Sequence, residues 1–308
     1  CQMIVYLAAV YTNGYMKGQD RYVNLNDNET VLVDSLSNIL ESYHYVNRQR
    51  YVDQMRHNGA TVFLDSGAFS AHTLNVEINL ETYCNYIKKN IDIIRVEDNS
   101  LMASVLDGIG DVKKTFDNQL EMERHGVRPL PCFHFGEDER YLEWYIKNYN
   151  YITIGGMVPI PTNKLFIWLD RIWNKYLTDA SGNAKIKVHG FGLTSVELMS
   201  SYPWYSCDSS SWIQSAAFGG IYTHEHKNIS VSSKSPSRHT RGQHFLTLTE
   251  VEKEAISSLL QSKGFSIERL STIYESRAAY NLNSYNQLSE IITNLGSSKF
   301  RNTYMELF

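Results

Sequence analysis

Three aspartates stand at the ends of apolar runs: Asp65 after Thr61-Val62-Phe63-Leu64, Asp107 after Leu101–Leu106, and Asp208 after Trp204-Tyr205-Ser206-Cys207. His134 ends a fourth run, Val127–Phe133, and Gly155-Gly156-Met157 follows a fifth, Tyr151–Ile154. A β-branched and aromatic run that stops at Asp65-Ser66-Gly67 reads as a buried strand delivering a carboxylate to a rim, because Gly67 permits the sharp exit. Two carboxylates across a small site suit glycosyl chemistry, in which one attacks the anomeric carbon and the other moves a proton on or off the leaving group. A third carboxylate beside a histidine and a Gly-Gly backbone suits the reading of a flat heterocycle through its donors and acceptors. The competing reading of any one aspartate is a helix cap without chemistry. The recurrence of the pattern favours the first reading.

The elements that must position these residues follow from the hydrophobic pattern. Strands are expected near Met3–Ala8, Thr30–Asp34, Thr61–Leu64, Leu101–Leu106, Val127–Phe133, Tyr151–Ile154, Lys185–His189 and Trp204–Cys207, with mostly helical connections between them. Ile91–Val96 fits a helix end or an extra strand. Such alternation calls for a parallel sheet, either open or closed. Polar or glycine residues at each C-terminal strand end favour an α/β fold of the (β/α)8 TIM barrel type, whose active site lies on that rim. An open doubly wound sheet is the second arrangement, but Gly108-Ile109-Gly110 and Gly190-Phe191-Gly192 both lack the third glycine of a dinucleotide fingerprint. The barrel is expected over 1–245. A C-terminal helical extension, 246–308, is expected to pack on it, with capping boxes at Thr249–Glu252 and Ser284–Gln287, a helix over Ile267–Tyr280 and a final stop at Gly296.

The totals bound the partners. At 308 residues and 43% hydrophobic the chain can bury a large core. A net charge of -4 and a pI near 6.2 exclude a uniformly basic nucleic-acid binder, so phosphate contacts require a local patch. His224–His244 supplies one: Lys227, Lys234, Arg238 and Arg241 are interleaved with Ser, Asn and Gly and opposed only by Glu225, as a flexible phosphate-binding loop or a solvated one. Trp212 is placed to stack on a base or sugar, or to pack in the core. Cys1, Cys84, Cys132 and Cys207 show no C-x-x-C spacing and read as reduced thiols of a cytosolic protein. His224-Glu225-His226 has no second ligand cluster, so neither a metal nor a cofactor is expected. Met3–Val10 lacks a preceding positive region and reads as a strand and not a signal peptide. No stretch approaches the ~18 apolar residues of a membrane span.

Leu64-Asp65-Ser66-Gly67-Ala68-Phe69, Ile154-Gly155-Gly156-Met157, and Gly190-Phe191-Gly192 followed by Tyr205-Ser206-Cys207-Asp208-Ser209 resemble the ordered motifs of the tRNA-guanine transglycosylase superfamily over about Thr61–Trp212. The resemblance implies that Asp208 is the nucleophile toward a ribose-type C1′ and that Asp65 is the general acid/base. Asp107 would recognise the guanine-like edge, His134 would read the base where the family usually has Gln, and Gly155, Gly156, Met157 and Phe69 would line the pocket. Two family features are missing: the C-x-C-x-x-C…H zinc site, and the P-T-R-x-x-R segment, where Ser209-Ser210-Ser211-Trp212-Ile213-Gln214 stands instead. A zinc-free chain of this kind is similar to the 7-deazaguanine DNA transglycosylases (DpdA-type) of bacteriophages. The resemblance implies exchange of guanine in DNA for a free 7-deazaguanine base of the preQ0/preQ1 type, in a host cytoplasm, on a flipped or single-stranded nucleotide. The alternatives are a zinc-free tRNA-guanine transglycosylase and a non-catalytic nucleic-acid-binding barrel subunit. The second has no chemical need for two opposed carboxylates.

Overall fold

The computed structural model describes residues 3–193 and 195–294. Seven strands, β1 (Ile4–Ala8), β2 (Ile39–Ser42), β3 (Phe63–Asp65), β4 (Cys132–His134), β5 (Tyr151–Gly155), β6 (Lys187–Gly190) and β7 (Ser206–Ser209), form one curled parallel sheet in the order β3-β2-β1-β7-β6-β5-β4. Helices Gln49–His57, Leu80–Lys89, Val112–Arg124, Glu139–Asn148 and Thr162–Ile172 connect the strands, giving an α/β fold. Local chemistry sets their ends. In Val112–Arg124 the Asp111 side chain accepts from the Lys114 N–H, Thr115, Gln119 and Met122 fall on one buried face, and Gly126 at φ +82° terminates the run.

The segment after Leu101 departs from the continuous strand expected over Leu101–Leu106. Ser100–Leu101 belongs to a two-residue antiparallel ribbon with Val96–Glu97. Beyond it, Ala103 makes a single parallel bridge to Leu64 and Ser104 another to Leu130. Leu64 N–H donates to the Met102 carbonyl, Ser104 N–H to that of Leu64, Val105 N–H to that of Leu130, and Leu130 N–H to that of Ala103. This segment therefore runs between β3 and the approach to β4, the two edges of the sheet. Tyr6, Leu40, Phe63, Met102, Leu130 and Tyr151 form one buried cluster from β1, β2, β3, this segment, the approach to β4 and β5.

Other expectations are corrected. Thr30–Asp34 is not a strand but the end of helix Asp27–Asp34, begun by a capping box in which Asn26 Oδ1 accepts from Glu29 N–H and Glu29 Oε1 from Asn26 N–H. The second strand is Ile39–Ser42. Ser284–Gln287 is no capping box: Ser284 lies inside helix Tyr274–Asn286, most of which is buried, and the box expected at Thr249–Glu252 is present. The stop at Gly296 lies outside the described residues.

The described residues separate into two compact units, one of 3–12, 37–193, 195–209 and 292–294, the other of 13–36 and 210–291. These divisions fall elsewhere than the 245/246 boundary read from composition. In the second unit, β8 (Gly220–Tyr222) and β9 (Asn228–Ser230) pair antiparallel. Ile221, Ile229, Phe245, Leu260, Leu270 and Tyr280 share a core, and Arg269 clamps the fully buried Glu29 through Nη2 at 2.6 Å and Nε at 3.1 Å.

Candidate active site

Asp65 ends β3 in register with Ser42 of β2. Gly67 turns the chain at φ +76°, and a Cβ there would come within 2.3 Å of Ser42 Oγ and 2.5 Å of His44 Cβ, so only glycine fits. That turn brings Gly67 N–H to Asp65 Oδ2 at 3.1 Å, while Ser104 Oγ donates to Oδ1 at 3.2 Å. Burial raises the Asp65 carboxyl from 3.8 to about 7, and the neighbouring Asp107 and Asp208 carboxylates push in the same direction. A carboxyl so poised can give or take a proton at neutral pH. Asp107 and Asp208, distant from it in sequence, thus both act on Asp65 electrostatically.

Asp208 lies within β7 beside Tyr6 of β1 and is 7% exposed. Its Oδ1 accepts twice, from Gly192 N–H at 3.1 Å and from His189 Nε2 at 3.0 Å. Among the described residues nothing bonds to Oδ2. His189, fully buried on β6 among the rings of Phe63, Phe191 and Tyr6, has its Nδ1 2.7 Å from Ser206 Oγ, which lies 2.6 Å from Tyr151 OH. With Nε2–H donating to the carboxylate, Nδ1 accepts from Ser206 and Ser206 from Tyr151, so one tautomer satisfies the whole chain.

Asp107 and His134 meet with Nε2 and Oδ2 3.3 Å apart. The other carboxylate oxygen, Oδ1, is buried without a partner among the described residues. His134 Nδ1 lies 2.9 Å from Glu137 Oε1, whose second oxygen accepts the His134 backbone N–H at 2.9 Å. Burial opposes charge on this ring, yet Cys132 and Asp107 against Nε2 outweigh it and raise the pKa of His134 well above its ordinary value. Burial pushes the Cys132 thiol itself up to about 11, so the carboxylates that face the ring are Asp107 at Nε2 and Glu137 at Nδ1.

Gly155 and Gly156 lie close against this histidine, Gly155 closer still to Cys132 Sγ. A Cβ on Gly155 would sit 3.3 Å from His134 Cδ2, and one on Gly156, at φ +68°, 3.0 Å from His134 Cβ. Met157 is buried, whereas Phe69, on helix Ala68–Thr73, is exposed. A cavity of about 450 Å³ adjoins Asp107, lined in part by Ala68, Ala71, His72, Leu106 and Lys114. Asp107, Cys132 and His134 also present an oxygen, a sulfur and a nitrogen within 4.8 Å of one another, a donor set of zinc type that the sequence reading missed because its members are scattered. With Nε2 protonated toward Asp107 that nitrogen has no lone pair to offer, and a metal would have to displace the proton.

The residues assigned to nucleic acid belong to the second unit. Trp212 is fully buried, edge-on to Tyr15, so its ring has no face for a base. Lys227 pairs at 3.5 Å with Glu225, both well exposed, while Lys234, Arg238 and Arg241 are exposed and make no ion pair among the described residues. The 224–244 segment is more ordered than a free loop: it contains β9, and the buried His244 holds the Ser232 carbonyl through Nε2. His226 stacks on Tyr222 at 4.2 Å, and burial pushes it down to about 4. His224-Glu225-His226 forms no ligand cluster among the described residues.

Four residues of the site went unread in the sequence: Ser104, Glu137, His189 and Ser206. His134 and Glu137 sit three apart across a turn and were recoverable; His189 was seen only as a strand end. No helix among the described residues is long and apolar enough to cross a membrane. No protein-family description matches this chain, and no curated protein matches it in sequence.

Proposed function

We propose that this chain is a DNA guanine transglycosylase on a (β/α)8 barrel, exchanging guanine for a 7-deazaguanine of the preQ0/preQ1 type. The paired bridges of Ala103 and Ser104, which join the two edges of the sheet, support closure of the barrel. The observation that carries the chemistry is that Asp65 and Asp208, near the C-terminal ends of β3 and β7, are each held by fixed donors, Gly67 N–H and Ser104 Oγ for the first and His189 Nε2 and Gly192 N–H for the second, with burial raising Asp65 to about 7. Asp208 Oδ2 attacks C1′ of a flipped or single-stranded deoxyguanosine, the C1′–N9 bond breaks, and the departing guanine takes the Asp65 proton. The incoming base then gives its N9 proton to Asp65 and attacks C1′, and the ester to Asp208 breaks. Two displacements retain configuration at the sugar. In this scheme Asp107 Oδ1 accepts an N–H of the base that would otherwise find a buried oxygen unpaired, and His134, fixed by Glu137, donates beside it.

The test is incorporation of labelled preQ0 and preQ1 into duplex DNA, single-stranded DNA and tRNA, with release of guanine measured in parallel. Incorporation into DNA is the expected result. Incorporation into tRNA alone moves the substrate class to the zinc-free tRNA enzyme, and none in any arm rejects the activity.

A further inference from the structure

The second unit contains a cleft of about 510 Å³ that belongs to none of the chemistry above. Ser211, Gln214, Ser215 and Phe218 face it from helix Ser211–Ala217 and its C-cap, a spacing that puts them on one helical side. Gly220, Tyr222, Asn228 and Ser230 face it from β8 and β9, where Gly220 is opposite Ser230 and Tyr222 opposite Asn228. Ser237, Gly242 and Gln243 complete it from the loop that carries Lys234, Arg238 and Arg241.

No lining residue is charged. The walls are hydroxyls and amides held in place by one another: Asn228 Nδ2 donates to Ser215 Oγ at 2.8 Å, Ser215 Oγ lies 2.6 Å from Tyr222 OH, and Ser230 Oγ donates to Ser235 Oγ at 2.8 Å. A Cβ on Gly220 would lie 2.5 Å from Asn228 Oδ1, so the glycine keeps that amide in position. Against this polar lining stands Phe218, 80% exposed, a large apolar ring that the fold leaves in water. A ring face, neutral donors and acceptors, and unpaired cations on the same loop match the three parts of a nucleotide: base, sugar and phosphate. The volume lies within the ~300–1,000 Å³ of ligand sites.

We infer that this cleft holds an unpaired nucleotide of a single-stranded nucleic acid, its base stacked on Phe218, its edge against Gln214 and Asn228, and its phosphates met by Lys234, Arg238 and Arg241. The inference deepens the transglycosylase reading by naming where the strand is gripped outside the target site, and it rests on that reading for its substrate class.

The experiment measures binding of fluorescent oligothymidylate and oligouridylate to the intact protein across a salt series. Phe218→Ala weakens binding about 5- to 150-fold, the value of one stacked base, with the log-log salt slope unchanged. Lys234→Ala, Arg238→Ala and Arg241→Ala together flatten that slope by about 0.7 per lost contact on single strands. Because Phe218 is exposed, its variant keeps the wild-type unfolding midpoint, which is checked. Phe218→Leu, apolar but without a ring, tracks the alanine variant if stacking is the cause. The two oligomers distinguish DNA from RNA as the strand gripped. An unchanged affinity in Phe218→Ala, or binding confined to duplex, overturns the cleft whatever the exchange assay shows. Phe218-dependent binding without any base exchange leaves the cleft standing and rejects the activity alone.

Discussion

His189 Nε2 lies 3.0 Å from Asp208 Oδ1, and His189 has no exposure to solvent while the carboxylate it holds reaches the surface by only a few per cent. With the Gly192 N–H, the pair commits one oxygen of Asp208 to fixed donors and leaves the other without a partner among the described residues, the one proposed to attack C1′. Asp208→Asn is expected to abolish exchange and any trapped protein–DNA adduct. His189→Phe removes a hydrogen bond to a charged group, worth about 10- to 150-fold, and is expected to lower kcat with the KM for the free base nearly constant. An adduct formed by Asp208→Asn would reject the nucleophile, and a His189→Phe effect confined to the unfolding midpoint would reject the positioning role.

Asp65 should leave its mark on the pH profile. Guanine release in a single turnover needs its protonated form and is expected to fall tenfold per pH unit above about 7, whereas attack by the incoming base needs the carboxylate and is expected to fall below about 7. In Asp65→Asn both inflections vanish along with most of the rate. Inflections that persist in the variant would belong to another group.

Asp107→Ala deletes the buried oxygen that has no partner. Base affinity, read by calorimetry, is expected to drop about 10- to 150-fold, the range for a hydrogen bond to a charged acceptor, while affinity for DNA stays. Dialysis of the intact protein against a chelator is expected to leave exchange intact, since in the proposed scheme carboxylates supply both nucleophile and proton. Stoichiometric zinc lost together with activity would instead assign the Asp107, Cys132 and His134 donor set to a metal.

Glu41, fully enclosed, accepts from the Tyr11 and Thr12 backbone and from Thr12 Oγ, and burial raises it from 4.5 to about 7. The folded state therefore binds this proton more tightly than the unfolded chain. Its contribution to stability falls as pH rises from about 4.5 to about 7 and is level above. Relative to wild type, Glu41→Gln should gain stability across that window by an amount on the order of 3 kcal/mol. Urea unfolding of both proteins at pH 5 and pH 8 reads the difference, and a constant offset would show that Glu41 does not titrate there.

Arg269→Met leaves Glu29 buried and uncompensated, at a loss of about 3 kcal/mol in urea unfolding. Adding Glu29→Gln to it is expected to restore much of that loss, because the second change removes the stranded charge. A double variant as unstable as the sum of the singles would contradict this account.

The rim was legible where strand ends carry their own punctuation. Asp65-Ser66-Gly67 and Gly155-Gly156 announce tight exits, and glycine at these positions is dictated by backbone geometry and by close neighbours such as Ser42 and His134. Thr30–Asp34 misled because β-branched residues suit a strand, whereas Asn26 and Glu29 three residues apart were the stronger local signal for a helix. Ser284 misled in the opposite sense: its S-x-x-Q spacing imitates a cap, but burial along Tyr274–Asn286 keeps the backbone helical through it. Trp212 and His189 were unreadable for a common reason, that exposure of a single aromatic or imidazole ring is decided by distant chain packing around it.

β1 has β2 on one side and β7 on the other, so the strand bearing Asp208 is inserted between the first strand of the sheet and β6. During synthesis β1 must wait for almost the whole first unit to emerge before that neighbour exists, and the gap can be filled only by a long-range pairing, the slow kind. Tyr151, His189 and Ser206 remain unlinked until the same moment. Docking of β7 therefore completes the sheet, the polar chain and the donor set of Asp208 in a single late event, and a nascent chain halted before Ser206 has neither Asp208 nor a finished sheet to hold its other carboxylates. Under the proposed chemistry, competence is a readout of complete folding.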